Sequence, residues 1–293
     1  VFSTLSQFVR PHLAPQHLFR DDGPAETHLQ WLGTAGFTMK TPDRTVVFDP
    51  FVTRPGLLEM LRPLKPNEGL IERVFPHADD VVIGHSHYDH ILDAPALCVR
   101  TGARLIGCPS ACNVGRAGGV SEAQLVSTQG DEDIACGENL FVRGIPSAHG
   151  KVYGYVPLKG TIDTPPPWPP KNGDLRHGTV FNWYLEHTRA DGSPLRMLHV
   201  DSAQFFTERI KNVRADVLCL CAIGRNYRPR YLEELVEITQ PKYIIPCHWD
   251  WLFDPYDAPP RQLPGVDLEG FVDEVSRLGV EPVVLPIGGH FHC

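Results

Sequence analysis

The segment Val81-Val82-Ile83-Gly84-His85-Ser86-His87-Tyr88-Asp89-His90 runs from an apolar, β-branched stretch straight into four possible metal ligands within six residues. Alternate residues of an extended chain share a side, so His85 and His87 can meet at one ion. A turn into a following helix would swing Asp89 and His90 toward a second position. Imidazole and carboxylate suit zinc, iron or manganese, and each ligating His needs its other ring nitrogen held by a partner. A lone His is usually a satisfied core or surface residue. Four ligand types gathered behind one buried strand point instead to a metal site at a strand end.

Working outward, His28–Leu32, Phe37–Lys40 and Thr45–Pro50, divided by turn residues, predict an antiparallel meander. Further strands are predicted at 80–84, 103–107, 124–127, 140–145, 179–186, 196–200, 217–223, 242–246 and 282–286. Helical periodicity is clearest over Tyr231–Thr239 and Leu268–Leu278. Strands interleaved with helices imply a layered α/β protein. Residues 1–27, with Pro11, Pro15, Pro24 and Asp21-Asp22-Gly23, read as a short helix and an N-terminal arm, and residues 28–293 as the domain proper. Two stretches interrupt the rhythm. Phe51–Ala78, rich in Leu and Pro, is predicted to roof a pocket. Tyr153–Gly178 contains Thr164-Pro165-Pro166-Pro167-Trp168-Pro169-Pro170 and reads as a stiff surface loop of polyproline-II character.

The 293 residues are 42% hydrophobic and 21% charged, with a formal net charge of −8. No run approaches the roughly 18 apolar residues of a membrane span. The acidic balance argues against a general nucleic-acid partner, since phosphate binding needs clustered Lys and Arg. Eight cysteines without a CxxC pair fit a reducing, cytoplasmic compartment. The chain starts at Val1 without an initiator Met, which leaves a removed signal peptide open. Cys219 and Cys221 alternate within Val217–Ile223 and are predicted to be small buried hydrophobes on one strand face.

The pattern HxHxDH behind an apolar strand resembles the signature of the metallo-β-lactamase superfamily. Later motifs match in order: a His after a strand in Gly144-Ile145-Pro146-Ser147-Ala148-His149, an Asp ending a strand in Leu198-His199-Val200-Asp201-Ser202, and a last His in Ile244-Ile245-Pro246-Cys247-His248-Trp249. The resemblance covers about residues 28–293. It implies an αββα sandwich, two mixed sheets flanked by helices, with metals at one edge between the sheets. It further implies that His85, His87 and His149 hold one metal, that Asp89, His90 and His248 hold the other, and that Asp201 bridges them. Asp49 matches a family Asp that supports the ligands, although a turn or cap Asp is the plainer reading. His199 reads as a core or supporting His, and His290 and His292 as pocket-lining residues or a solvated tail.

Two divalent ions sharing a carboxylate lower the pKa of a bound water, so hydrolysis by a dinuclear-metal hydroxide is the implied reaction, with Asp89 and Asp201 as catalytic carboxylates. Zinc is the first expectation, with manganese or iron as alternatives. Lactamases of the family commonly carry Cys where this chain has Asp201, which argues against a β-lactamase. Diiron reductases carry Glu where His87 stands, and the RNA-cleaving members add basic segments that this chain lacks. A metal-binding protein without turnover would leave open coordination positions without a purpose. The stretch Trp31-Leu32-Gly33-Thr34-Ala35-Gly36-Phe37, followed by Phe48-Asp49-Pro50, resembles most closely the branch containing ascorbate-6-phosphate lactonase and N-acyl phosphatidylethanolamine phospholipase D. A small-molecule lactone or related carboxylic ester is therefore the expected substrate, with a phosphodiester as the alternative. Arg225, Arg228 and Arg230 decide between them: facing the metals they would favour the phosphodiester, facing away the lactone. The walls of the pocket are expected from Phe51–Ala78, Tyr153–Gly178 and Gly224–Arg230.

Overall fold

Alternating and continuous apolar runs become strands much as their periodicity predicts. The computed structural model describes residues 11–293. Strand β1 (His12–Leu13) belongs to a small separate pair. The first large sheet is built from β2 (His28–Gly33), β3 (Gly36–Lys40), β4 (Thr45–Phe48), β5 (Asp80–Val82), β6 (Arg104–Gly107) and β7 (Leu125–Ser127). The β2–β3–β4 meander is antiparallel as predicted, and β4 through β7 run parallel. The second sheet repeats this plan. Its β8 (Asp133–Ala135), β9 (Leu140–Ser147), β10 (Val180–Thr188) and β11 (Pro194–Val200) are antiparallel, and β12 (Val217–Cys221) and β13 (Tyr243–Cys247) continue parallel to β11. Of the last strands, β14 (Arg261–Gln262) pairs with β1, β15 (Glu281–Pro282) extends the second sheet beside β13, and β16 (His290–Phe291) closes the first beside β2.

Parallel neighbours need crossovers, and helices supply them. They are α1 (Glu68–Val74), α2 (Tyr88–Ile91), α3 (Ala94–Thr101), α4 (Pro109–Ala117), α5 (Thr207–Ile210), α6 (Tyr231–Thr239) and α7 (Leu268–Arg277). Asn67 and Asp267 cap α1 and α7 by accepting the amide protons of Leu70 and Gly270, and α3 stops at Gly102 in the left-handed region (φ 78°). Helix α4 packs on β6 and β7, α3 on β5 and β6, and α7 on β15. The two sheets face each other: Trp183 of β10 donates its indole N–H to the Ile83 carbonyl at 3.0 Å, and Phe37 and Phe48 lie edge-on to His199. The αββα sandwich follows. Cys219 and Cys221 are both buried, as alternation predicted, and none of the eight cysteines forms a disulfide. No helix among the described residues is long and apolar enough to cross a membrane.

One expectation changes. The strand predicted at 282–286 is confined to Glu281–Pro282; beyond it the Val283 amide still donates to Ile244, and Val284 then leaves β13 to bridge Phe19 of the N-terminal segment. His290 and His292 do not line the metal cavity, and of the two only His292 is exposed to solvent, as in the tail reading. His290 lies in β16 against the His28 ring, and the His292 amide donates to Asp22. The described part of the predicted arm, residues 11–27, lies along the body: Phe19 bridges Val284 and the Arg20 amide donates to its carbonyl. Among the described residues this segment holds a 3-10 turn at Gln16–Leu18, and the rest of the predicted short helix and arm, residues 1–10, lies outside the described residues.

Candidate metal centre

Topology gathers the candidate ligands before any side chain is considered. In the first sheet β2, β4 and β5 point the same way, and in the second β9, β11, β12 and β13 do. Asp49 follows β4, His85 follows β5, His149 follows β9, Asp201 follows β11 and His248 follows β13. All therefore leave the carboxyl ends of strands on one edge of the sandwich, where α/β sheets commonly bind ligands. His87 precedes α2, and Asp89 and His90 occupy its first turns.

His85, His87 and His149 form one cluster whose ligand atoms lie within 4.8 Å of one another, and Asp89, His90 and His248 form another. Asp201 belongs to a third cluster with one member of each, His85 and His90. Its Oδ2 lies 2.6 Å from His85 Nδ1 and 3.6 Å from His90 Nδ1. The His85 Nε2 to His87 Nδ1 distance is 3.0 Å, and His248 Nε2 lies 3.3 Å from Asp89 Oδ2. Asp49, which sequence alone left between a turn residue and a supporting one, sits 3.0 Å from His90 Nδ1 and accepts the Gly84 amide at 2.7 Å. His149 Nδ1 faces the Gly150 carbonyl at 2.7 Å, which fixes its Nδ1–H tautomer and turns Nε2 outward.

Burial holds these imidazoles neutral. His87 and His149 are depressed to about 4 by desolvation, with His177 and His87 respectively among the neighbours adding to the shift; His85 is depressed further by burial and by His90, and His90 by burial, with His248 and His87 adding to it. A neutral imidazole is the form that ligates a metal. The carboxylates differ. Burial works against the Asp89 charge, but His90 and His248 outweigh it and hold its carboxyl below the usual range. Burial raises Asp49 and Asp201 well above that range, and Asp49 is raised further by Asp201, Asp201 further by Asp89. Among the described residues these three close, buried carboxylates meet histidines and no Lys or Arg. Asp201 Oδ1, His87 Nε2 and His248 Nδ1 are buried without a hydrogen-bond partner among the described residues. Orphaned acceptors, neutral imidazoles and uncompensated carboxylates together fit divalent metal.

Above the cluster lies a cavity of about 520 Å³. Besides the seven ligand candidates its walls include Leu158, Ile223, Trp251, Leu252, Phe253 and Leu263, with Tyr153, Tyr155 and Asn172 adding polar groups. Among the described residues no Lys or Arg lines it. Tyr153–Gly178 thus contributes as predicted, while the other two predicted walls do not. Phe51–Ala78 lines a separate cavity of about 1160 Å³ with Phe253 and Tyr256. Arg225, Arg228 and Arg230 turn away to ion pairs with Glu274, Glu234 and Glu237, and Arg228 also lies over the Phe205 ring. Their acidic partners are near at hand on α7 and α6, so the guanidinium groups are satisfied outside the site. His199 is a buried core residue with neither ring nitrogen hydrogen-bonded, fitting the core reading. His177, to which no spacing argument pointed, stacks on His149 at 6.0 Å and meets the His87 ring edge at 5.9 Å. Its place in an irregular Pro-rich loop carried no periodic signal.

A family model described as a beta-lactamase superfamily domain matches residues 28–248. A UPF0173 metal-dependent hydrolase of Methanopyrus kandleri is 25% identical, covering 89% of this chain and 97% of that protein. One from Anaeromyxobacter sp. (strain K) is 39% identical over 82 residues, but that match spans 28% of this chain and only 27% of the relative. Among solved structures, Igni18, a metallo hydrolase from Ignicoccus hospitalis, shares the fold with a TM-score of 0.62 at 19% identity, covering 91% of this chain and 99% of that one. CmlA, a diiron β-hydroxylase from Streptomyces venezuelae, aligns with a TM-score of 0.57 at 15% identity over 92% of this chain and 55% of its own.

Proposed function

The chain belongs to the β-lactamase superfamily, and from that premise we propose that it is a metal-dependent hydrolase of lactones or related carboxylic esters, with residues 28–293 as its catalytic domain. The observation that carries the substrate class is the cavity wall: apolar side chains around the His/Asp cluster, with no Lys or Arg among them. A phosphodiester brings its own negative charge and calls for a cation to bind and orient it. A neutral ester does not. Such a substrate gains from burial against Leu252, Leu263 and Ile223, while the hydroxyls of Tyr153 and Tyr155 and the amide of Asn172 offer polar contacts that can orient it.

In this reading His85, His87 and His149 hold one ion and Asp89, His90 and His248 the other, with Asp201 shared, and zinc is the leading metal. Bound there, two divalent ions would activate water and polarise the attacked carbonyl. The protein's own part is positional. Asp49 fixes the tautomer and ring plane of His90, and the Gly150 carbonyl does so for His149. With the ions bound, Asp89 and Asp201, the catalytic carboxylates, would carry negative charge at the edge of the cavity where an attacking water would be oriented. The apolar wall excludes bulk water and strengthens every charge interaction within.

The test is a panel of lactones, aryl esters and bis-aryl phosphodiesters assayed with zinc-replete enzyme and with His85→Ala. Ester or lactone turnover that exceeds phosphodiester turnover and is lost in the variant is the expected result. Phosphodiester turnover at least as efficient would reverse the ranking, and activity surviving in His85→Ala would remove the metal centre from the reaction.

A further inference from the structure

Arg54 comes from the Phe51–Ala78 insertion, which does not line the metal cavity, yet it is buried, with a side chain only 1% exposed. Its Nη2 donates to Asp250 Oδ2 at 2.6 Å and to the Trp251 carbonyl at 2.9 Å. The other Asp250 oxygen accepts the Thr34 amide at 2.8 Å, and the Thr34 carbonyl accepts the His248 amide at 2.7 Å. A continuous hydrogen-bonded path thus joins Arg54 to the backbone of His248.

Three features set this path apart from an ordinary ion pair. Thr34, Arg54 and His248 all have left-handed backbones (φ 50°, 47° and 53°), a conformation that non-glycine residues hold only where the surroundings impose it. Gly33 is itself at φ 88°, where a side chain is strained, and a β-carbon there would displace the Arg54 guanidinium. Arg54 Nε and Nη1 find no partner among the described residues, so the buried charge is incompletely satisfied. A buried pair bought at that desolvation cost is weak evidence for stability and better evidence for a fixed geometry.

We infer that Arg54 is a positioning residue for the second metal position: through Asp250 and Thr34 it sets the backbone of His248, and through the Trp251 carbonyl it sets the wall beside it. The inference rests on the two-ion reading given above. Arg54 touches neither metal nor substrate.

Zinc content is measured by elemental analysis, and the affinity of each ion by competition with a chromophoric chelator, for wild type, Arg54→Met, Arg54→Lys, Asp250→Asn and His248→Ala. Circular dichroism and thermal unfolding of the metal-free forms show which variants are folded. The expected result is that Arg54→Met weakens one of two ions about 10–100-fold, the range for losing a group that orients a ligand, and leaves the other unchanged. Arg54→Lys should recover part of that loss, and Arg54→Met should add little to His248→Ala in the double variant, as residues acting along one path do. Asp250→Asn carries the same test if Arg54→Met fails to fold. Folded Arg54→Met or Asp250→Asn holding both ions at wild-type affinity, or weakening both equally, overturns the role of Arg54 alone. Wild type that takes up no zinc, or a His85→Ala/His87→Ala variant with undiminished zinc, overturns the metal reading itself and this inference with it.

Discussion

Asp49 and Asp201 occupy matching points of the two sheets, each one residue beyond the strand at which antiparallel pairing gives way to parallel. Their carboxylates meet over the Cα of Gly84: a β-carbon there would stand 3.0 Å from Asp49 Oδ2 and would overlap Asp201 Oδ2 outright. Gly84 is therefore glycine for space rather than for backbone freedom. Gly84→Ala should push both carboxylates aside, with a stability cost of about 1–3 kcal/mol from overpacking. Zinc titration is the sharper measurement, since an alanine variant with two ions at wild-type affinity would contradict the close approach.

Asp201 separates function from stability. Removing a buried carboxylate that lies among others relieves repulsion in the metal-free chain, so apo Asp201→Asn should melt no lower than apo wild type. The same change should weaken metal uptake and abolish most turnover, with any residual activity rising only at higher pH. Paired melting curves with and without zinc decide it, and a large loss of apo stability would assign Asp201 to the scaffold.

Asp49→Ala should leave all seven candidate ligands in place while releasing His90. A loss of about 10–100-fold in metal affinity is expected, the effect of removing a ligand-orienting partner. Chelator competition measures it. Unaltered affinity would return Asp49 to the role of a plain turn residue that accepts the Gly84 amide.

A pH signature should come from Asp93, away from the ligand cluster. Burial raises its carboxyl to about 6, although Thr53 and the Val52 amide donate to it. Between the unfolded value near 4 and about 6 the folded chain binds a proton that the unfolded chain does not, so this contribution to stability falls as pH rises through that window, by about 2–3 kcal/mol. In Asp93→Asn the fall should vanish. Denaturant unfolding of both proteins at intervals from pH 4 to 7 gives the difference directly, and a wild-type-minus-variant difference that is flat or rising with pH would refute it.

The wall of the cavity should appear in KM. Leu252→Asn replaces one apolar contact by a polar one and is expected to raise KM for an ester with an apolar substituent by about tenfold, at little cost in kcat. An equal rise for a small unsubstituted ester would show that Leu252 acts on the site as a whole.

Most of the sandwich was legible because its strands are long enough for their period to show. The same holds for His85, His87, Asp89 and His90, which one strand and one turn hold together. His149, Asp201 and His248 became candidates only through motif order, since the strand ends that unite them come from distant parts of the chain. Arg54 and Asp250 carried no signal at all. They are 196 positions apart, and neither lies in a periodic element. The two-residue strands β14 and β16 were likewise too short to alternate, and the partners that define them exist only in the folded chain.

Every candidate ligand leaves the carboxyl ends of strands or the turn just beyond them, so the opposite rim of the sandwich carries none of the seven. Its connections, Thr41–Arg44 between β3 and β4 and Arg189–Ser193 between β10 and β11, are short turns, the second holding exposed Asp191 and Gly192. That rim is the natural place to anchor the molecule. A linker, label or immobilising tag inserted at Asp191-Gly192 would hold the protein by its back, with the cavity mouth facing outward and its traffic unobstructed.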